Sequence, residues 1–279
     1  MQSVSREMVQ KTTKIAIVAG NGFLPVQIIE KCINLGKPYF LLVVNDHGEE
    51  VLKKYNSDFV LHLNKIGKAI KYLKKNNIIE IIMIGAVNRP ALKNMFPDLW
   101  TAKFLASISN KMLGDDKVLS NLAIALEKEG FKIIAPENIL PNILSKKGVM
   151  GKVSPQESHL HDIKIGFEIA RNIGKYDIGQ SLVIEDGLII ALEAIEGTAA
   201  MINRASKYKK SRSSAILIKV LKYNQEKRID RPTIGVKTIE QIAKSGFAGI
   251  VAEANEVLII DYEKTIETAD KNNIFIQGV

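Results

Sequence analysis

Long apolar runs are scarce in this chain: the longest, Ile78 to Ile84 and Ala215 to Leu221, fall far short of the ~20 residues a membrane-spanning helix needs. Cysteine is scarcer still. Cys32 stands alone, which excludes an internal disulfide and fits a reducing cytoplasm. It falls in an amphipathic helical pattern, where a buried, inert thiol is expected. Aromatic residues make up only 6%, few of them interleave with the basic ones and no binding motif is present, so no nucleic-acid partner is expected. The four histidines, His47, His62, His159 and His161, show no metal-ligand spacing, and the last two read as incidental residues near a linker. Met1 to Thr13 lacks the apolar stretch of a secretory signal. Internal repeats and low-complexity tracts are also missing.

What is present is the composition of a globular protein, 46% hydrophobic and 25% charged over 279 residues, enough for two ordinary cores. The formal charge is +9, and Lys207-Tyr208-Lys209-Lys210-Ser211-Arg212 and Lys71 to Lys75 concentrate it. Such clusters suit a solvated face, an anionic membrane surface or a phosphorylated substrate.

The first half alternates short apolar runs with amphipathic patterns. Strands are predicted at Ile15–Ala19, Phe40–Val44, Phe59–Leu63, Ile78–Ile84 and Phe131–Ala135, and helices at Val26–Leu35, Ile66–Lys75, Ala102–Met112 and Asp116–Glu129. That alternation predicts a parallel sheet covered on both sides, hence an α/β chain with a Rossmann-like N-terminal domain over residues 1–137. Residues 138–155, with two prolines, two glycines and no periodicity, read as a linker. Residues 156–279 read as a distinct mixed α/β domain. Its pattern gives a helix at Ile163–Asn172, a hairpin over Ser181–Leu192, a helix from Thr198, a strand at Ala215–Leu221 and a polar loop from Lys222 to Thr233. A helix at Ile239–Lys244, a strand at Val257–Ile260, a helix at Glu263–Asn272 and a terminal apolar stretch, Ile274–Ile276, follow.

Glu193-Ala194-Ile195-Glu196-Gly197-Thr198 carries the strongest chemical signal. The preceding hairpin turns at Asp186-Gly187, and Thr198 reads as the N-cap of a helix with an apolar face of Met201, Ile202 and Ala205. Two carboxylates beside a helix N-terminus suit a divalent cation meeting a phosphate. Four further segments are candidates. Gly20-Asn21-Gly22-Phe23-Leu24-Pro25 stands where a phosphate-binding turn belongs, but Pro25 replaces the third glycine of a dinucleotide fingerprint. Arg89 follows the fourth strand and could fork onto a phosphate; a plain surface loop would look the same. Asp115 and Asp116 open a helix and serve equally as its cap. Lys219 ends a strand, and Gln225-Glu226-Lys227-Arg228-Ile229-Asp230-Arg231 follows with mixed charge.

Taken in order, Ile17 to Pro25, Gly114-Asp115-Asp116, Asp177-Ile178-Gly179-Gln180-Ser181, Glu193 to Thr198, Gln225 to Gly235 and Ala269-Asp270 span nearly the whole chain. In these segments the chain resembles the LpxI-type UDP-2,3-diacylglucosamine pyrophosphatases of lipid A biosynthesis in Gram-negative bacteria. The resemblance implies two domains with a site in the cleft between them. It also implies water attack on the pyrophosphate of UDP-2,3-diacylglucosamine, giving UMP and 2,3-diacylglucosamine 1-phosphate (lipid X), with Mg²⁺ or a similar ion. On that basis Glu193, Glu196, Glu226 and Asp230 are expected to serve the chemistry, with Glu226, Glu196, Asp115 and Asp116 as metal ligands. Gly20, Gly22, Pro25, Arg89, Gln180, Thr198, Arg204, Lys219, Gln225 and Arg228 are expected at the substrate. A cytoplasmic protein is expected, peripheral at the inner surface of the cytoplasmic membrane, and association into a homo-oligomer is compatible with the resemblance. Two departures bear on activity. The family's Glu-Gly-Thr is followed by Asp where this chain has Ala199, and its Gln-Asp is here Gln225-Glu226. The first raises an alternative: a non-catalytic protein that binds a UDP-linked lipid or lipid X.

Overall fold

The computed structural model describes residues 14–46, 50–87, 96–108, 115–210 and 214–279, with only the backbone for residues 50, 51, 115 and 116. The chain divides into two compact units, one of Met1–Ser107 with Ala123–Ile134, the other of Ile108–Leu122 with Ala135–Val279.

In the first unit, runs of Ile, Val and Leu form the central strands, buried on both faces as parallel sheets require. The strands are β1 (Ile15–Ala19), β2 (Tyr39–Val44), β3 (Phe59–Leu61), β4 (Glu80–Ile84) and β5 (Lys132–Ile133), with helices α1 (Leu24–Asn34), α2 (Ile66–Lys75), α3 (Leu99–Ser107) and the part of α4 (Asp115–Lys128) from Ala123 onward. The strands are all parallel in the order β3-β2-β1-β4-β5, a Rossmann-like arrangement. Cys32 is buried in α1, and burial pushes its thiol pKa up, as an inert core thiol requires.

The second unit carries a six-stranded mixed sheet. Its strands are β6 (Gly148–Met150), β7 (Ser181–Glu185), β8 (Leu188–Leu192), β9 (Ile216–Lys219), β11 (Gly249–Ala252) and β13 (Phe275–Gly278). They lie in the order β6-β13-β11-β9-β7-β8. β9, β11 and β13 run parallel, and β6, β7 and β8 antiparallel to their neighbours. A separate parallel pair joins β10 (Thr233–Ile234) to β12 (Leu258–Ile259). One face of the large sheet packs on α5 (Glu157–Lys175) through Ile163 and Ala170 against Leu182, Ile184, Ile216 and Ile218. The other face packs on α6 (Gly197–Ala205), α7 (Val236–Lys244) and α8 (Tyr262–Lys271) through Met201, Ile202, Ile239, Ile242 and Ala269. Among the described residues no helix is long and apolar enough to cross a membrane.

Several expectations change. Residues 148–150, inside the segment expected to be a linker, form β6 and pair with β13, and Ser145 is buried with its hydroxyl donating to Glu253 O at 2.7 Å. His159 is buried rather than incidental: its Nδ1 accepts from Gln156 N at 3.1 Å and its ring meets Phe275. α5 runs well beyond the predicted Ile163–Asn172, and β11 was not predicted at all. β11 opens on Gly249, whose Cα pairs in register with Phe275, and a Cβ there would lie 2.4 Å from the fully buried Phe275 ring. Gly249→Ala is therefore expected to cost about 1–3 kcal/mol by overpacking. Thermal unfolding reads this as a lowered Tm; an unchanged Tm would mean that Phe275 yields.

Candidate active site

Lys219 is the last residue of β9 and only 4% exposed. Side chains alternate across a strand, so Lys219 shares the face of Leu217, the face covered by α6. In register it lies between Ser181 on β7 and Ala252 on β11, two small residues that leave room for a long side chain. A buried ammonium needs partners, since its desolvation costs several kcal/mol. Lys219 Nζ donates to Thr198 Oγ1 at 2.6 Å, and Thr198 Oγ1 donates to Glu193 Oε1 at 2.7 Å. Burial pushes the Lys219 pKa down, while the Glu193 and Asp230 carboxylates oppose that shift.

Each partner is placed by local structure. β7 and β8 are joined by the expected tight turn, with Asp186 at φ 50° and Gly187 at φ 77°. Gly187 N donates to the buried Asp162 Oδ1 at 2.6 Å, which fixes the hairpin on α5. The hairpin delivers Glu193, whose N–H donates to Ser181 O at 2.9 Å. Gly179 presses on the same residue: a Cβ there would sit 2.1 Å from Glu193 O, so only glycine allows the approach. Thr198 is not the N-cap that the sequence predicts. The helix already begins at Gly197, and the Thr198 hydroxyl is taken by Glu193 and Lys219 instead. Gln225, also buried, donates through Nε2 to Asp230 Oδ2 at 2.9 Å.

The structure thus gathers Glu193, Thr198, Lys219, Gln225 and Asp230, with Ser181 paired in register with Lys219; Gln180, just before β7, accepts from Val220 N through its backbone carbonyl at 2.9 Å. Glu193 Oε2, Gln180 Oε1 and Ser181 Oγ are buried with no hydrogen-bond partner among the described residues. Ser181 pairs in register with Lys219 and its carbonyl accepts from Glu193 N, so two of these atoms belong to one site, where a ligand's donors would satisfy them.

Other predicted residues stand apart from this cluster. Glu196 is exposed and pairs with Arg204 Nη2 at 2.5 Å, and that guanidinium holds its carboxyl below the ordinary range. Glu226 is closed by Arg228 through Nε and Nη2, both at 2.8 Å, and its pKa is lowered by the same contact. In the first unit, Gly20 packs on backbone: its N–H donates to Ile84 O at 2.8 Å, and a Cβ would lie 2.6 Å from Ala86 O. Gly22 has φ 105° and faces open space, and Pro25 is buried in the first turn of α1. Arg89 lies outside the described residues, as do the side chains of Asp115 and Asp116.

Of the residues expected to hold Mg²⁺, only Glu196 and Glu226 have described side chains. Glu196 and Glu226 are each occupied by an arginine, and among the described residues no group of three or more His, Cys, Asp or Glu could hold a metal.

Two elements of the site were missed in the sequence. Glu253 follows β11, where its Oε2 accepts from Leu221 N at 2.9 Å, its Oε1 pairs with Arg171, and its own N–H donates to Lys219 O at 3.0 Å. A carboxylate directly after a fully apolar strand was the available signal. The second is Arg231, paired with Glu137 and Glu256, 94 and 25 residues away along the chain.

Comparison with known proteins agrees along the whole length. Residues 14–143 match the LpxI N-terminal domain and residues 146–277 the LpxI C-terminal domain. The UDP-2,3-diacylglucosamine pyrophosphatase LpxI of Caulobacter vibrioides is 36% identical over 273 residues, covering 95% of this chain and 97% of that protein. Among solved structures, Bordetella bronchiseptica WbmG with NAD aligns at TM-score 0.28 and 18% identity, over 45% of this chain and 37% of that one. The UDP-glucose 4-epimerase of Thermus thermophilus with NAD aligns at TM-score 0.29 and 16% identity, over 52% and 41%. The Rossmann-like assignment rests on strand order rather than on these overlaps. On both of its domains and across nearly its full length, the chain belongs to the LpxI family.

Proposed function

We propose that this chain hydrolyses the pyrophosphate of UDP-2,3-diacylglucosamine to UMP and lipid X, at the cluster around Lys219. The observation that carries this reading is a buried ammonium flanked by carboxylates and by buried polar atoms without partners. The activity named for the Caulobacter vibrioides relative supplies the substrate.

In this reading Lys219 Nζ donates to a pyrophosphate oxygen, and its charge counts for more in a site closed to water. Glu193 is the base. Its Oε1 is held by Thr198, which leaves the unpartnered Oε2 to take a proton from water. The water oxygen bonds to one phosphorus, the P–O bond to the bridging oxygen breaks, and the departing phosphate keeps that oxygen. Asp230, held by Gln225, balances the Lys219 charge. Mg²⁺, when bound with the pyrophosphate, would supply neutralisation of the phosphate charge. The acylated substrate places the protein peripherally at the inner face of the cytoplasmic membrane.

Ala199 favours the second reading, a non-catalytic binder, because the family pattern has a carboxylate there. The Ala199 side chain is exposed in the first turn of α6, and Glu193, Thr198, Lys219 and Asp230 assemble without it. UMP release from UDP-2,3-diacylglucosamine, with and without Mg²⁺ and beside Ala199→Asp, decides between them. Release by the unaltered chain, stimulated by Mg²⁺, is the expected result. Release only from Ala199→Asp would mean that the pocket is right and one carboxylate is missing. Saturable binding of the lipid, with no UMP from either protein, would establish the binding protein.

A further inference from the structure

The turn that brings Gln225 and Asp230 to Lys219 is gripped from behind. Ile229 N and Asp230 N both donate to Glu226 O, at 3.0 and 2.8 Å, so residues 226–230 form a single helical turn. Lys227 lies within this turn and Arg231 directly after it. Glu256 takes both: Oε1 accepts from Lys227 Nζ at 2.5 Å and Oε2 from Arg231 Nη1 at 2.7 Å. Arg231, its side chain 8% exposed, reaches Glu137 Oε1 through Nη2 at 2.7 Å and the carbonyls of Asn255 and Glu256 at 3.2 Å.

We infer that Glu256 is a positioning residue, whose carboxylate holds Lys227 and Arg231 together and so sets where the turn presents Gln225 and Asp230 to Lys219. The inference rests on the pyrophosphatase reading of that cluster. Stability alone is a poor reason for the arrangement, because well-packed apolar side chains often replace a buried ion pair at no cost. Arg231 Nε and Glu137 Oε2 are also buried without partners among the described residues, so the network is not arranged for maximal hydrogen bonding. What apolar packing cannot supply is direction. One carboxylate with two oxygens, each on a different cation, fixes the rotation of the turn about its own axis. The pairing of β10 with β12 and the Leu258 N to Pro232 O bond at 2.8 Å anchor the chain just beyond it.

The test uses the full chain with Glu256→Gln, Glu256→Asp and Lys227→Met. Glu256→Gln is expected to lower kcat for UMP release by about 10- to 100-fold, the effect of a misplacement near 1 Å, with KM little changed. Glu256→Asp, which keeps the charge, should recover most of that loss. Lys227 is half exposed, so Lys227→Met keeps the fold and is expected to lose kcat by a smaller factor. Hydrogen exchange at the Ile229 and Asp230 amides reads the turn without turnover: faster exchange in Glu256→Gln, confined to this turn, is expected. Unchanged exchange there, or full kcat in both Glu256→Gln and Lys227→Met, overturns the inference, as does a rise in KM alone. If Glu256→Gln does not fold, Lys227→Met decides by the same two readouts. Absence of turnover in both the unaltered chain and Ala199→Asp rejects the reading of the site, while exchange still judges the clamp.

Discussion

Lys219→Met is expected to lower UMP release by about 10²- to 10³-fold, the scale for losing one preorganised donor to developing charge. The loss should fall on kcat, because a neutral side chain of similar length still fills the space between Ser181 and Ala252. A second consequence appears in stability. The ordinary lysine pKa of 10.5 is lowered here by burial, against the opposing pull of Glu193 and Asp230. Between the lowered folded value and the unfolded value, the unfolded chain binds one more proton than the folded chain. Stability of the unaltered protein therefore rises with pH across that window, and below it the cost of a protonated buried amine is present in full. In Lys219→Met this contribution to the slope disappears. Denaturant unfolding across the alkaline range, compared between the two proteins, measures it; identical slopes would mean that Lys219 does not titrate as a buried amine.

Much of this site could be read in the sequence because its parts sit at the ends of strongly patterned elements. β1 and α2 fall on the predicted bounds, since an uninterrupted Ile/Val/Ala run and a 3.6-residue apolar period leave little choice. The Asp186-Gly187 turn forms because both residues tolerate positive φ, and it delivers Glu193 to the sheet edge. Lys219 could be singled out as a charge closing an apolar strand. What could not be read was which charges pair. Glu196 pairs with Arg204 and Glu226 with Arg228, and residue type alone does not show these pairings. Thr198 had the right residue type for a cap, but tertiary contacts with Glu193 and Lys219 claim its hydroxyl. β6, β10 and β11 span only two to four residues, too short for a period to register against their glycine, proline and charged neighbours. The Arg231 network joins residues far apart in the chain, and no local pattern encodes that.

Glu193→Gln is expected to have the largest effect, a fall of about 10²- to 10⁴-fold in kcat, the range for removing a general base. The substitution keeps shape and most contacts. The Gln carbonyl can still accept from Thr198 Oγ1, and the backbone remains held by Ser181 and by Gly179. What is lost is basicity at the atom that occupies the Oε2 position. The change reaches Lys219 as well. Glu193 is one of two carboxylates that oppose the lowering of the Lys219 pKa by burial, so removing its charge lowers that pKa further and weakens the electrophilic side of the site. Glu196→Gln, three residues on, is the matched control. Glu196 is exposed and tied to Arg204, so its loss should leave kcat close to that of the unaltered chain. Parallel kcat measurements on the two variants separate the carboxylates. A larger loss in Glu196→Gln than in Glu193→Gln would move the base from the buried carboxylate to the exposed one, and the catalytic centre away from Lys219.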